Sequence, residues 1–151
     1  MGGVRLIYLT KEIKKQILKE SEKHYPNECC GILLGKLGEN SDKYVESILP
    51  VDNSSDEKEA FHRFLIPPEI MRQVEIEARK RKIDIVGFYH SHPNKPAIAS
   101  EYDRSHALPV YSYIITSVAL GIAIDIKSYE LSLEKEEMEF NKEEIGILEN
   151  R

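Results

Sequence analysis

Cys29-Cys30-Gly31-Ile32-Leu33-Leu34 is a nearly unbroken apolar run closed by Gly35. A run this short and this uniformly apolar reads as a central strand buried on both faces, which requires a sheet with chain packed on either side of it. Ile83 to Tyr89 is a second apolar run of strand character. The rest of the pattern supplies partners for these two. Val4–Leu9 suits a strand, and Thr10 caps a helix over about Lys11–His24, in which Ile13, Ile17 and Leu18 share a face, Tyr25 extends the stripe and Pro26 ends it. Gly38–Asp42 has turn chemistry, and Lys43–Val51 pairs back as a strand. Asp52–Glu59 is polar and loop-like, and Phe61–Ile66 returns to strand character. Pro67-Pro68 opens a helix that buries Ile70, Val74 and Ala78 and ends in the basic Arg79–Lys82.

Beyond the second apolar run, Ser100–Leu108 is a short helix stopped by Pro109, and Tyr111–Leu120, Gly121–Ile126 and Ser128–Leu133 resume strand character. Residues 1–133 therefore read as one α/β domain with a mixed sheet and a few flanking helices. Residues 134–151 read as an acidic segment packed on the same domain, with Met138, Phe140, Ile145 and Leu148 as docking points. A chain of 151 residues is long enough for one substantial core. Its 26 acidic against 21 basic residues, net charge -5, argue against sequence-independent binding to nucleic acid. No apolar run approaches membrane-spanning length, and the N-terminus lacks the apolar core of a secretory signal. The two cysteines are adjacent, where a disulfide is strained, so reduced thiols in a cytoplasmic protein are expected.

Chemistry concentrates where the second apolar run ends. His90 and His92 are two residues apart on a strand, so both rings project from one face and can meet at one ion. A loop with two prolines follows, then Ser100-Glu101-Tyr102-Asp103, in which Ser at the N-cap and an acid three residues on form a capping-box-like helix start. Such a cap fixes the orientation of Asp103, and two imidazoles with one carboxylate are a typical catalytic zinc set with a position left for water. Upstream, Glu28 stands at the mouth of the buried Cys29–Leu34 strand; on position alone it is equally well an exposed turn residue or a carboxylate facing a metal-bound water. Cys29 and Cys30 read as small core residues, His62 and His106 as ordinary structural histidines, and His24 as a helix-end histidine that favours the dipole. Arg79–Lys82 reads as a solvated helix terminus.

Together Glu28, His90-Ser91-His92-Pro93, Ser100 and Asp103, with ten residues between His92 and Asp103, resemble the motif of the JAMM (MPN+) metallopeptidase family. The compact Glu28-Cys29-Cys30-Gly31 and Leu34-Gly35 stretch looks like its small prokaryotic branch. The resemblance implies an α/β fold of the cytidine-deaminase-like three-layer type. It implies Zn²⁺ on His90, His92 and Asp103, Glu28 as general base, and Ser100 as oxyanion donor. It further implies hydrolysis of amide or isopeptide bonds at the Gly-Gly C-terminus of a ubiquitin-like or sulfur-carrier protein. The family also has scaffold members that have lost their ligands and only bind, and against these the full ligand set here counts. A nucleobase deaminase would need His-x-Glu and a later Pro-Cys-x-x-Cys, which the chain lacks. Nothing in the sequence decides between a monomer and a homodimer.

Overall fold

The computed structural model describes residues 5–52, 66–131 and 140–149. The strand read at Phe61–Ile66, the loop read at Asp52–Glu59 and His62 fall largely or wholly outside them. In chain order the elements are β1 (Leu6–Thr10), α1 (Lys11–His24), β2 (Cys30–Leu37), β3 (Lys43–Val51), α2 (Pro68–Lys80), β4 (Asp84–Pro93), α3 (Glu101–His106), β5 (Ser112–Ala119), β6 (Ile122–Leu131) and β7 (Phe140–Leu148). Thr10 caps α1 as the sequence predicts, its hydroxyl accepting the Ile13 N–H at 3.1 Å. The strands read at Gly121–Ile126 and Ser128–Leu133 are one continuous strand, β6, joined to β5 through Leu120 and Gly121, both at positive φ.

The architecture is mixed α/β with few helices, as expected. Its sheet also closes on itself, in the order β1-β3-β2-β4-β5-β6-β7. Closure comes from β1, which pairs in parallel with β3 on one side and with β7 on the other. β7 lies in the C-terminal acidic segment, and its alternation places Glu143 and Ile145 inward. The two apolar runs, β2 and β4, are neighbours and antiparallel. Both of their faces are covered. On the inner face Cys29, Leu33, Val86 and Tyr89 meet Ile13 and Ile17 of α1; on the outer face Ile32, Leu34, Ile85 and Phe88 meet Val74 and Ala78 of α2. Gly31 is required at this junction, because a Cβ there would lie within the Tyr89 ring.

Away from α1 the inner face turns polar. Two residues before Val45 and Ile114, and two residues beyond Ile126 and before Ile145, the strands present Lys43, Ser112, Ser128 and Glu143, all buried. The Lys43 ammonium donates to Ser112 Oγ (2.7 Å) and Glu130 Oε2 (2.6 Å) and lies 3.8 Å from Glu143, whose Oε1 accepts from Ser112 and Ser128 (2.7 Å each). Burial pushes the Glu143 carboxyl up, and Lys43 opposes the shift. A buried carboxylate is tolerable here because every group around it is satisfied. Lys43→Met should therefore cost about 3–5 kcal/mol in denaturant unfolding. Adding Glu143→Gln should recover part of that loss; strictly additive losses would show that the two charges do not stabilise each other.

Candidate active site

The register between β2 and β4 places the site. Cys30 pairs with His90, and the Ser91 N–H donates to the Cys29 carbonyl (3.1 Å), so continuing the ladder sets Glu28 across from His92. Cross-strand partners share a face, and His90, His92 and Glu28 accordingly converge on the outer side of the sheet. All three are buried, and one ligand atom of each lies within 4.8 Å of the others, so the three could hold a metal ion.

Asp103 reaches the same point from α3. The Ser100 hydroxyl accepts the Asp103 N–H (3.0 Å), while Asp103 Oδ2 accepts the Ser100 N–H (2.9 Å), a complete capping box. Locked in this way, Asp103 Oδ1 lies 3.0 Å from His90 Nε2 and its Oδ2 lies 3.0 Å from His92 Nε2. The two Nε2 atoms are 3.2 Å apart. Burial would push the Asp103 carboxyl up, but the imidazole edges and the Ser100 amide facing it outweigh that and hold it well below the usual carboxylate range. Ser100 itself is exposed at the rim.

The donor set suits a cation. His92 Nδ1 lies 2.9 Å from the Pro96 carbonyl, which accepts only from a protonated nitrogen. In the neutral ring Nε2 is then bare, yet it faces a carboxylate oxygen and a second imidazole nitrogen. Burial also pushes the His90 imidazole down, toward its neutral form. Lone pairs brought this close repel unless a proton or a cation stands among them, and neutral imidazoles with a carboxylate are the donor types that zinc takes. The Glu28 carboxyl is raised from 4.5 to about 8, chiefly by burial and then by the Asp103 charge, with Lys95 opposing.

Beside His90 and Asp103, toward α3, opens an apolar cavity of about 190 Å³ lined by Met71, Phe88, Tyr102, Leu108 and Tyr113 among others. His106 borders it, stacked on Tyr102 with its Nδ1 at the Tyr102 carbonyl, a contact within its own helix. Both cysteines are free and buried, and burial pushes both thiols up, away from the reactive thiolate.

Sequence reading passed over Ser91. Strand alternation sends it to the inner face, where its hydroxyl accepts the Cys29 N–H at 2.9 Å, and Cys29 Sγ in turn lies 3.8 Å from Ser21 Oγ of α1. Ser91 thus holds the residue next to Glu28 from behind the sheet. Alternation alone was signal enough for its direction, though not for its partner. Asn94 was passed over as well. At positive φ, it donates its N–H to the Val118 carbonyl (2.6 Å) and its Nδ2 to the Tyr25 hydroxyl (2.9 Å), tying the loop after the histidines to β5 and to the end of α1.

Among known proteins, the Haloferax volcanii desampylase is 37% identical over 94 residues, which is 61% of this chain and 63% of the length of that relative. A solution structure of a Desulfitobacterium hafniense protein superposes with a TM-score of 0.80 at 28% identity, covering 95% of this chain and 94% of the other. A Salinibacter ruber protein superposes with a TM-score of 0.68 at 25% identity, covering 93% and 90%. The family described as prokaryotic homologs of the JAB domain matches residues 10–147, nearly the whole chain and every residue of the site. The chain belongs to that family.

Proposed function

We propose that this chain is a zinc-dependent metallopeptidase that hydrolyses the amide or isopeptide bond at the Gly-Gly C-terminus of a ubiquitin-like or sulfur-carrier protein. The observation that carries the reading is the convergence of His90 Nε2, His92 Nε2 and the Asp103 carboxylate within 3.0–3.2 Å of one another, with Glu28 beside them. The relative named desampylase, a name for an enzyme that removes a modifier, supports the substrate class. The absence of any helix among the described residues long and apolar enough to cross a membrane fits a cytoplasmic setting.

His90, His92 and Asp103 would hold the ion. When bound, zinc would polarise the scissile carbonyl and bring the pKa of water toward neutrality. Glu28 takes a proton from the attacking water and passes it to the leaving amine, and a carboxyl raised toward neutrality by burial is matched to both halves of that exchange. The Ser100 oxygen accepts from Asp103, which leaves its hydroxyl proton for the developing oxyanion; one preorganised donor contributes about 3 kcal/mol. The cavity beside His90 gives an apolar side chain of the bound tail a place next to the scissile bond. Glycines at the tail's end let its backbone pass close to the histidines.

Protein purified without added metal should carry stoichiometric zinc by elemental analysis, and His90→Ala and Asp103→Ala should lose it. Glu28→Gln should keep the zinc and lower hydrolysis of a Gly-Gly-linked fusion at least about a hundredfold. Full activity in that variant would remove Glu28 as the base. A protein free of metal in all three forms would remove the zinc site.

Stripped of metal, the protein should also report the Glu28 environment directly. Its folded state holds the Glu28 proton more tightly than the unfolded chain does, so this group's contribution is fully present below about pH 4.5 and declines as pH rises toward about 8. The decline is at most about 1.4 kcal/mol per pH unit. Unfolding of metal-free wild type and Glu28→Gln across this range should show wild type losing stability relative to the variant. A difference that does not change with pH would contradict it.

A further inference from the structure

Glu28 stands two residues before the last paired positions of β2 and β4, Cys30 with His90, so the strand ladder by itself does not aim it. Beyond that pair the two chains are joined in a different way. The Ser91 N–H donates to the Cys29 carbonyl at 3.1 Å, as an antiparallel neighbour should. The return bond ends on a side chain: the Cys29 N–H donates at 2.9 Å to Ser91 Oγ, on the inner face. Both residues are buried. Two residues back along the same face Tyr89 belongs to the apolar core, so packing alone does not ask for a hydroxyl at position 91. The Cys29 N–H does.

What matters is which peptide group this bond holds. The Cys29 N–H and the Glu28 carbonyl belong to one planar unit, and the Glu28 Cα is attached to it. Fixing that plane removes rotation on one side of the Glu28 Cα, so the direction in which the carboxylate leaves the chain follows from where Ser91 Oγ sits. The segment is held at its other end as well. Three residues before Glu28 the Tyr25 hydroxyl accepts from Asn94 Nδ2 at 2.9 Å. Both anchors lie on the stretch that carries the histidines. His90, Ser91 and His92 alternate outward, inward and outward, so the residue between the two imidazoles reaches the base from behind the sheet.

Resting on the peptidase reading above, we propose that Ser91 is a positioning residue for Glu28: through the Cys29 peptide group its hydroxyl sets the aim of the carboxylate at the attacking water. It touches neither the ion nor the substrate. Proton transfer needs donor and acceptor within hydrogen-bond reach, so a base turned off line slows the chemical step and leaves binding as it was.

The test compares the zinc-loaded full chain as wild type, Ser91→Ala, Ser91→Thr, Glu28→Gln and the Ser91→Ala/Glu28→Gln double variant on one Gly-Gly-linked ubiquitin-like fusion. Ser91→Ala should lower kcat roughly tenfold to hundredfold with KM changed by no more than about twofold. It should hold zinc in the same ratio as wild type. Amide hydrogen exchange at Cys29, followed by NMR without substrate, should quicken about fivefold or more. Ser91→Thr, which returns the hydroxyl, should recover most of the kcat and slow that exchange again. In the Glu28→Gln background Ser91→Ala should cost little further, because the group it aims is gone. An equal loss in both backgrounds overturns the inference, since Ser91 would then act on the histidines or on the fold. Loss of zinc from Ser91→Ala overturns it for the same reason. Full kcat in Ser91→Ala with quickened exchange at Cys29 also overturns it, leaving the bond a purely structural one. An inactive wild type overturns the peptidase reading, and the inference falls with it.

Discussion

The antiparallel pairing of Cys30 with His90 is the constraint on which the rest of this molecule depends. It decides which residue of β2 lies opposite the second histidine, and a slip of one residue would turn the Glu28 side chain to the inner face, against α1. Everything that stabilises the pairing therefore also aligns the site. The buried faces of both strands do so through α1 on one side and α2 on the other. The irregularity in this ladder falls at Leu33/Leu34, well away from the site, so the end that matters keeps an undistorted register.

The site is assembled against its own electrostatics. Two carboxylates and two imidazoles are drawn into one buried cluster, and their arrangement is enforced from outside by a helix cap, a backbone carbonyl at His92 and a strand ladder. Such enforcement is what preorganisation requires, since groups held by the fold need not rearrange when charge develops. On the inner face, away from α1, the chain treats buried charge differently. Lys43 is paired with both Glu130 and Glu143 there, with two serines completing the hydrogen bonds. One polar cluster is closed and the other is open to an ion, although both are made from buried carboxylates.

Much of the arrangement was legible in the sequence. A period of 3.6 located α1 and α2, unbroken apolar runs located β2 and β4 because both of their faces are covered, and local chemistry at Thr10 and Ser100 located two helix starts. The histidine pair and the capped Asp103 declare their convergence through short-range spacing. The rest was hidden because it depends on contacts distant in sequence. No local pattern says that β1 will bridge β3 and β7 and close the sheet, or that Glu143 in an acidic tail will be buried against Lys43, a hundred residues earlier. The division of β6 into two strands was a misreading of a single strand whose register against β5 shifts between Ser117 and Val118 and in which exposed Ile122 and Ile124 give way to buried Ser128, so that composition and pairing both change midway. Glu28 itself was legible only through resemblance, since its partner on β4 is named by register and not by spacing.

The hydrogen bond from the Cys29 N–H to Ser91 Oγ lies on the inner face of the sheet, directly behind the candidate site. On the inner side the same pair abuts Ser21 and the buried stripe of α1; on the outer side its neighbours are Glu28, His90 and His92. Packing and reactivity are thereby written on alternate residues of the same two strands. A change in how the first helix seats would therefore be felt at the aim of Glu28 and the two histidines, although that helix packs against the other face of the sheet.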